Sequence, residues 1–259
     1  MYLFELIGSW IIHVCTEIGS YALFFWKNVV TLFTTRLKVR QLAAQMKRIG
    51  VDSSSIIFLS SLSSGFALAL QSYAGLSRIG GEEMVGVVVA WGMTRELGPV
   101  LTAIMVAGRS GSAIAAELGT MQITEQIDAL RTLCINPYQY LVIPRIIAGT
   151  LIMPFLTMFA MVLGILGGYL YTSYNLTMTP EIYIANIKNY LTVGDIIGGL
   201  IKSSFFGFTL SFIGSYEGFF TRGGARGVGE ATTNSVVIGC IIILISNYFL
   251  SSLLFRAGL

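Results

Sequence analysis

Five runs of about twenty or more largely apolar residues, at positions 56–76, 84–108, 146–174, 195–215 and 234–255, dominate this 259-residue chain. A helix needs about 20 such residues to cross the hydrocarbon of a bilayer, so each run is long enough to span. Inside lipid every backbone amide and carbonyl must find a partner within the protein, and a helix meets that requirement within its own segment. Composition agrees: 54% of the residues are hydrophobic, 11% are charged, and mean hydropathy is +0.76, where a soluble domain carries roughly a quarter charged residues. Charged or Pro/Gly-containing turns separate the runs, and no internal repeat, low-complexity tract or long linker divides them. The expectation is one all-α integral membrane unit.

The N-terminal part is of a different character. Residues 21–33, YALFFWKNVVTLF, are short for a crossing and hold Lys27 at their middle beside Trp26, which suits a helix lying in the interface. A sixth span is the alternative, and it would invert the sidedness argued next. RLKVRQLAAQMKRIG follows, with Arg36, Arg40 and Lys47 near one helical face and Leu42, Met46 and Ile49 on another. It reads as a solvated helix or as one drawn to anionic headgroups. The division falls at residue 55: interfacial and cytosolic helices over 1–55, and the five-helix domain over 56–259. Lys27, Arg36, Lys38, Arg40, Lys47 and Arg48 precede the first run, whereas the next connection holds only Arg78 against Glu82 and Glu83, so the N-terminal side is assigned to the cytosol. Five crossings then place 109–145 and 217–233 in the cytosol and 173–194 outside. The first ten residues lack the basic start and cleavage site of a secretory signal, so insertion is expected to use the spans themselves.

One motif breaks the apolar pattern. TRELGP puts Arg95 and Glu96 inside the second run. A charged side chain at bilayer depth costs about 2.5 to 3.5 kcal/mol even on insertion scales, so these two are expected to face a cavity or a partner rather than lipid tails. Neighbours on a helix point about 100° apart, so the two cannot simply pair along one face. A guanidinium in a cavity suits a lipid phosphate; the structural alternative bonds the pair to neighbouring helices, for example at Gln71 or Lys202. Pro99, inside the same run, frees a carbonyl for a cavity group to satisfy. Lys202, near the end of the fourth run, reads as a snorkelling cation first and a phosphate contact second.

The connection GTMQITEQIDALRTLCINP, 119–137, has Ile123, Ile127, Leu130 and Cys134 at helical spacing on one face and Glu125 and Asp128 on another. With Thr124 as N-cap and Asn136-Pro137 as stop, it forms a short amphipathic helix that either lies on headgroups or docks a soluble partner. No Gly-Lys dipeptide occurs, so the Walker phosphate loop is absent. The one histidine, His13, has no catalytic partner at motif spacing; Cys15, Cys134 and Cys240 form no C-x-x-C pair and read as structural thiols, and neither a metal nor a nucleic-acid site is indicated. The sequon beginning at Asn175 reads as accidental.

RELGPVLTAIMVAGRSGSAIAAELGTMQITEQIDAL (95–130), NPYQYLVIPRIIAG (136–149) and GFFTRGGARGVGEATTNSVV (218–237) together resemble the MlaE-type permeases, the membrane subunits of MCE-associated ABC lipid transporters. The resemblance implies an ABCG-like homodimer, each protomer with an N-terminal interfacial (elbow) helix and five spans. It implies a separate ABC ATPase that holds ATP and magnesium, leaving this chain without a cofactor of its own. That ATPase would dock on a coupling helix at 124–133, through Thr124, Glu125, Gln126, Asp128 and Leu130. It implies a hexameric MCE-domain protein on the outer side, in some systems a STAS-domain protein, and a phospholipid substrate. Around Arg95 and Glu96, the residues Leu68, Gln71, Ser72, Tyr73 and Leu76, with Leu97, resemble the positions that line the family's lipid pocket; Arg95, Glu96 and Lys202 join them as substrate-binding candidates on their charge. The expected location is the bacterial inner membrane, with the plastid inner envelope as the alternative. A channel or secondary transporter would need a longer lane of ionisable groups or an inverted repeat, and a membrane enzyme would need His or paired acids near the interface.

Overall fold

The computed structural model describes residues 2–34, 39–175 and 180–258. Among the described residues all regular structure is helical. Five segments are long and apolar enough to cross a membrane: Val39–Ile79, Glu82–Ile123, Tyr138–Tyr174, Val193–Phe219 and Gly224–Arg256. Each contains one of the five apolar runs. The side chain of His13, the residues Arg36 and Lys38, and the sequon starting at Asn175 lie outside what is described.

The N-terminal helix α1, Tyr2–Thr34, is far longer than the 13-residue stretch that suggests it, and it is not among the five crossing segments. Among its described side chains, Tyr21 and Phe24 carry the main packing. Phe24 is buried, ringed by Tyr138, Phe212, Tyr216, Phe219 and Phe220 with centroids 5.4 to 5.9 Å away. Tyr21 stacks on Tyr216 at 3.7 Å and donates to the Glu217 carboxylate. Burial, then Glu217, push the Tyr21 phenol well above its ordinary pKa.

Helix α2, Val39–Gly50, runs through a short 3-10 turn, Val51–Ser53, into α3, Ser54–Leu76. The boundary read at 55 thus falls inside one helical path, Val39–Ile79, which contains the first apolar run. Close approach explains the continuity: a Cβ on Gly50 would lie 2.7 Å from Ile152 Cγ1, so α2 lies against α8, Ile143–Asn175, rather than apart in solvent. Arg48 donates to Glu117, whose other oxygen takes the buried Arg145 at 3.0 Å. The basic pattern of α2 is therefore partly internal pairing.

The second crossing segment is built in pieces: α4, Val85–Trp91; a π-helical turn, Gly92–Leu97; α5, Gly98–Val106; a second π-turn, Ala107–Gly111; and α6, Ser112–Ile123. Proline has no N–H and its ring crowds the carbonyl four residues earlier, so Pro99 cannot continue a regular α-ladder, and the wider turn sits just ahead of it. A third π-turn, Tyr138–Val142, precedes Pro144 in the same way. Helix α7, Gln126–Thr132, follows α6, and α9, Pro180–Tyr190, occupies the connection read as an outer loop. Pro180 at its start and Glu181 in its first turn are ordinary helix openers. Tyr183 anchors α9 in the gap left by Gly86 and Gly168, and its phenol is raised above its ordinary pKa by burial.

Helices α8, α3 and α10, Val193–Phe219, form the packed centre together with α11, Gly224–Arg256. Small residues set the spacing: a Cβ on Gly65 would lie 2.0 Å from the Gly164 carbonyl oxygen, and one on Gly207 would lie 2.3 Å from that of Gly149. Cys240 is half-buried against the hydrophobic core, as a structural thiol would be, whereas Cys15 and Cys134 are exposed.

Candidate functional site

The π-turn presents Arg95 and Glu96 to α10. The Arg95 guanidinium meets Asp195 Oδ1 through Nε and Nη2, each at 2.6 Å, with the Trp91 ring centroid 5.1 Å from its carbon. Asp195 is held from the other side: Thr192 N and Oγ1 both donate to Oδ2 at 2.9 Å, and the Asp195 N–H returns to Thr192 Oγ1. This is a capping box that starts α10. The acid that closes the helix end also receives the arginine.

Glu96 reaches the same helix two turns further on. Its Oε1 accepts from Lys202 Nζ at 2.9 Å and from Ser251 Oγ at 2.8 Å, while Oε2 accepts from Asn247 Nδ2 at 2.8 Å. Lys202 Nζ donates further to Ser251 Oγ and to the Arg95 carbonyl, both at 2.7 Å. That carbonyl stands four residues before Pro99, which has no N–H to offer it along an α-ladder. All three ammonium protons are therefore spent inside the protein. The snorkelling reading of Lys202 is corrected by this geometry: its side chain is 4% exposed and points into the helix contact, because the Arg95 carbonyl and a carboxylate await it there.

The two pairs answer the question raised by adjacent charges about 100° apart. Asp195 and Lys202 are seven residues apart on α10 and share one face, so each takes one member of the RE pair. The side chains are not sealed. Arg95 and Glu96 each remain 46% exposed, and beside them lies a cleft of about 330 Å³ closed by Tyr248, Ser252, Leu254 and Phe255 of α11.

The apolar candidates lie elsewhere. Leu68, Tyr73, Leu76 and Leu97 pack together on Ala69, Val85, Val89 and Met93, while Gln71 is exposed and Ser72 half-buried. Gly92, at the start of the π-turn, leaves room for Leu68, whose Cδ2 would be 2.7 Å from an added Cβ. The structure thus brings Arg95, Glu96 and Lys202 into one cleft and places the Leu/Tyr set on a separate apolar cluster. Sequence reasoning missed Asp195, Asn247 and Ser251. Only Asp195 carries a local signal, the T-x-x-D capping pattern of Thr192 to Asp195.

At the other end of the molecule, α7 is anchored by the fully buried Ile127 and by Leu130, which packs on the main core. Thr124, Glu125, Gln126 and Asp128 are exposed. Thr124 is not the N-cap expected: its hydroxyl donates to the Thr120 carbonyl at 2.7 Å and finishes α6, while Glu125, at φ +59°, turns the chain into α7. Asn136-Pro137 is not the stop either. Ile135 N donates to Leu130 O and Cys134 N to Arg131 O, both at 3.0 Å, around Cys134 at φ +57°, which is a Schellman closure. Asn136 instead accepts from Tyr138 N–H at 3.0 Å and helps open the next segment.

A five-crossing helical protein with a charged cleft beside the start of α10 and the end of α11, and a separate exposed helix, α7, away from it, is laid out as a membrane transport subunit. The family model for permease MlaE matches residues 42–253, and the chain belongs to that family. It is the permease subunit of an ABC transporter. A probable ABC transporter permease protein of Rickettsia typhi is 43% identical over 252 residues, 97% of each chain. The chloroplastic protein TRIGALACTOSYLDIACYLGLYCEROL 1 of Arabidopsis thaliana is 39% identical over 230 residues, 89% of this chain and 66% of its own length. The intermembrane phospholipid transport system permease protein MlaE of Haemophilus influenzae is 35% identical over 218 residues, 84% of each chain.

Proposed function

We propose that this permease works as a homodimer that moves phospholipid between the bacterial inner membrane and a hexameric MCE-domain tunnel, with a plastid inner envelope as the alternative setting. The observation that carries the substrate reading is the cleft in which Arg95 is fixed by Asp195 yet stays half exposed. Asp195 uses Nε and Nη2, and a phosphodiester entering the cleft can take Nη1, the remaining donor of a fork suited to phosphate. The Leu68, Tyr73, Leu76 and Leu97 cluster adjoins the same π-turn and offers an apolar wall for acyl chains. Membership of the MlaE family and the Haemophilus relative's name support phospholipid as the cargo.

Energy comes from a separate ABC ATPase that binds ATP and magnesium and docks on α7. The exposed Glu125, Gln126 and Asp128 give that helix an acidic outer face, while Ile127 ties its motion to the core. A STAS-domain protein is a further candidate partner on this side. The α7 side is the cytosolic one by the distribution of basic residues. Co-reconstituting the chain with its ATPase and MCE partners and following phospholipid transfer tests the reading. Arg95→Ala should abolish transfer while leaving assembly with the ATPase intact; full transfer by that variant refutes the cleft's role.

A further inference from the structure

A second groove, of about 690 Å³, runs between α1 and the corner that joins α7 to α8, lined by none of the residues of the Arg95 cleft. Two cations from distant parts of the chain meet there, Lys27 of α1 and Arg131 of the last turn of α7, flanked by Trp26 and Tyr138. Arg131 is steadied over the Phe219 ring, 5.8 Å from guanidinium carbon to centroid. Its partner within the helix is Asp128 at 2.7 Å, a half-exposed pair one turn apart.

What covers this groove follows from the helix beside it. On α1, Leu23, Trp26, Val30 and Phe33 recur at helical spacing, and all four are exposed, at 64%, 65%, 46% and 84%. Helix α1, 33 residues long, is not among the five crossing segments; on its interfacial reading this stripe faces the bilayer, where acyl chains are its natural cover. Trp26 and Val30 belong both to the stripe and to the groove wall. Apolar cover and cationic pocket are therefore continuous around one helix. A molecule matching both parts has hydrocarbon tails and an anionic head.

We propose that this groove is a binding site for an anionic phospholipid of the leaflet on the α7 side, its chains along Leu23, Trp26, Val30 and Phe33 and its phosphate between Lys27 and Arg131. It is distinct from the transport cleft. Because Arg131 closes α7, the bound headgroup sits against the end of that helix and holds α1 to it.

Trp26 supplies the probe. In full-length chain carrying Trp10→Phe and Trp91→Phe, so that Trp26 is the sole tryptophan, fluorescence is quenched with brominated phosphatidylglycerol or brominated phosphatidylcholine in mixed nanodiscs. Two cations at the surface, one of them partly offset by Asp128, predict a preference for the anionic lipid of about tenfold. Lys27→Gln with Arg131→Gln should reduce that preference to about twofold or less, while Lys27→Arg with Arg131→Lys should retain it; circular dichroism confirms that each variant stays helical. Equal quenching by the two lipids, or a preference that survives the neutral double variant, overturns the proposal. Relief of quenching by millimolar inorganic phosphate overturns it as well, because the site would then hold a free anion rather than a lipid.

Discussion

Replacing Lys202 by methionine isolates the arrangement on which the membrane-buried charges depend. The substitution keeps much of the side-chain volume and removes three donated bonds, to Glu96, to Ser251 and to the Arg95 carbonyl. Breaking a buried pair by removing one partner costs about 3–5 kcal/mol. Glu96 is half exposed and can recover some solvation, which brings the expected loss to about 3 kcal/mol. The share that belongs to the carbonyl is separable. Pro99→Ala restores an amide N–H that can serve the Arg95 carbonyl along the helix, so Lys202→Met should cost less in that background by about 1.5 kcal/mol, the lower end of the worth of a hydrogen bond to a charged group. Reversible unfolding in detergent of wild type, both single variants and the double variant gives the coupling directly. Equal costs of Lys202→Met in the two backgrounds would refute the assignment of the ammonium to the Arg95 carbonyl.

Other expectations follow from the same geometry. Glu117→Gln should destabilise the chain by about 2 kcal/mol because it strands the buried Arg145, whereas Arg48→Gln, on the exposed arm of the same carboxylate, should cost well under 1 kcal/mol in the same unfolding assay. Gly65→Ala should impair folding more than Gly75→Ala, since an added Cβ meets the Gly164 carbonyl at 2.0 Å in the first case and open space in the second; yield of monodisperse protein after detergent extraction measures it. Glu125→Lys with Asp128→Lys should abolish co-purification of the ATPase while leaving the helical content unchanged, and an undiminished complex would remove α7 as its dock. Thr124→Ala should change stability by less than about 0.5 kcal/mol, because Thr124 does not cap α7.

The crossing segments were legible because bilayer thickness imposes a length that composition reveals directly. Arg95 and Glu96 were legible as a site because charge at that depth is expensive, and so was an orphaned carbonyl near Pro99. Of their partners only Lys202 was, as the alternative named beside Gln71. Asp195 is about a hundred residues away, and Asn247 and Ser251 about a hundred and fifty, so only the register of α10 and α11 against the π-turn brings them in. The packing of α2 against α8 was hidden by Arg40, Lys47 and Arg48, which read as solvated until Glu117 is placed beside Arg48. Helix α9 was obscured by its modest apolar content, although Pro180 and Glu181 mark its opening. Both ends of α7 were misread for one reason: left-handed turns at Glu125 and Cys134, unusual for those residues, did what Thr124 and Asn136-Pro137 would ordinarily do.

The central claim, that the Arg95–Asp195 and Glu96–Lys202 pairs border a chamber that admits a lipid headgroup, is tested most directly by a photoactivatable residue at Ser252 in the cleft wall of the assembled transporter. The account predicts that illumination attaches phospholipid to that position, and that Arg95→Ala removes the adduct while the complex stays assembled. Adducts formed with protein alone, or lipid adducts unaffected by Arg95→Ala, would contradict it.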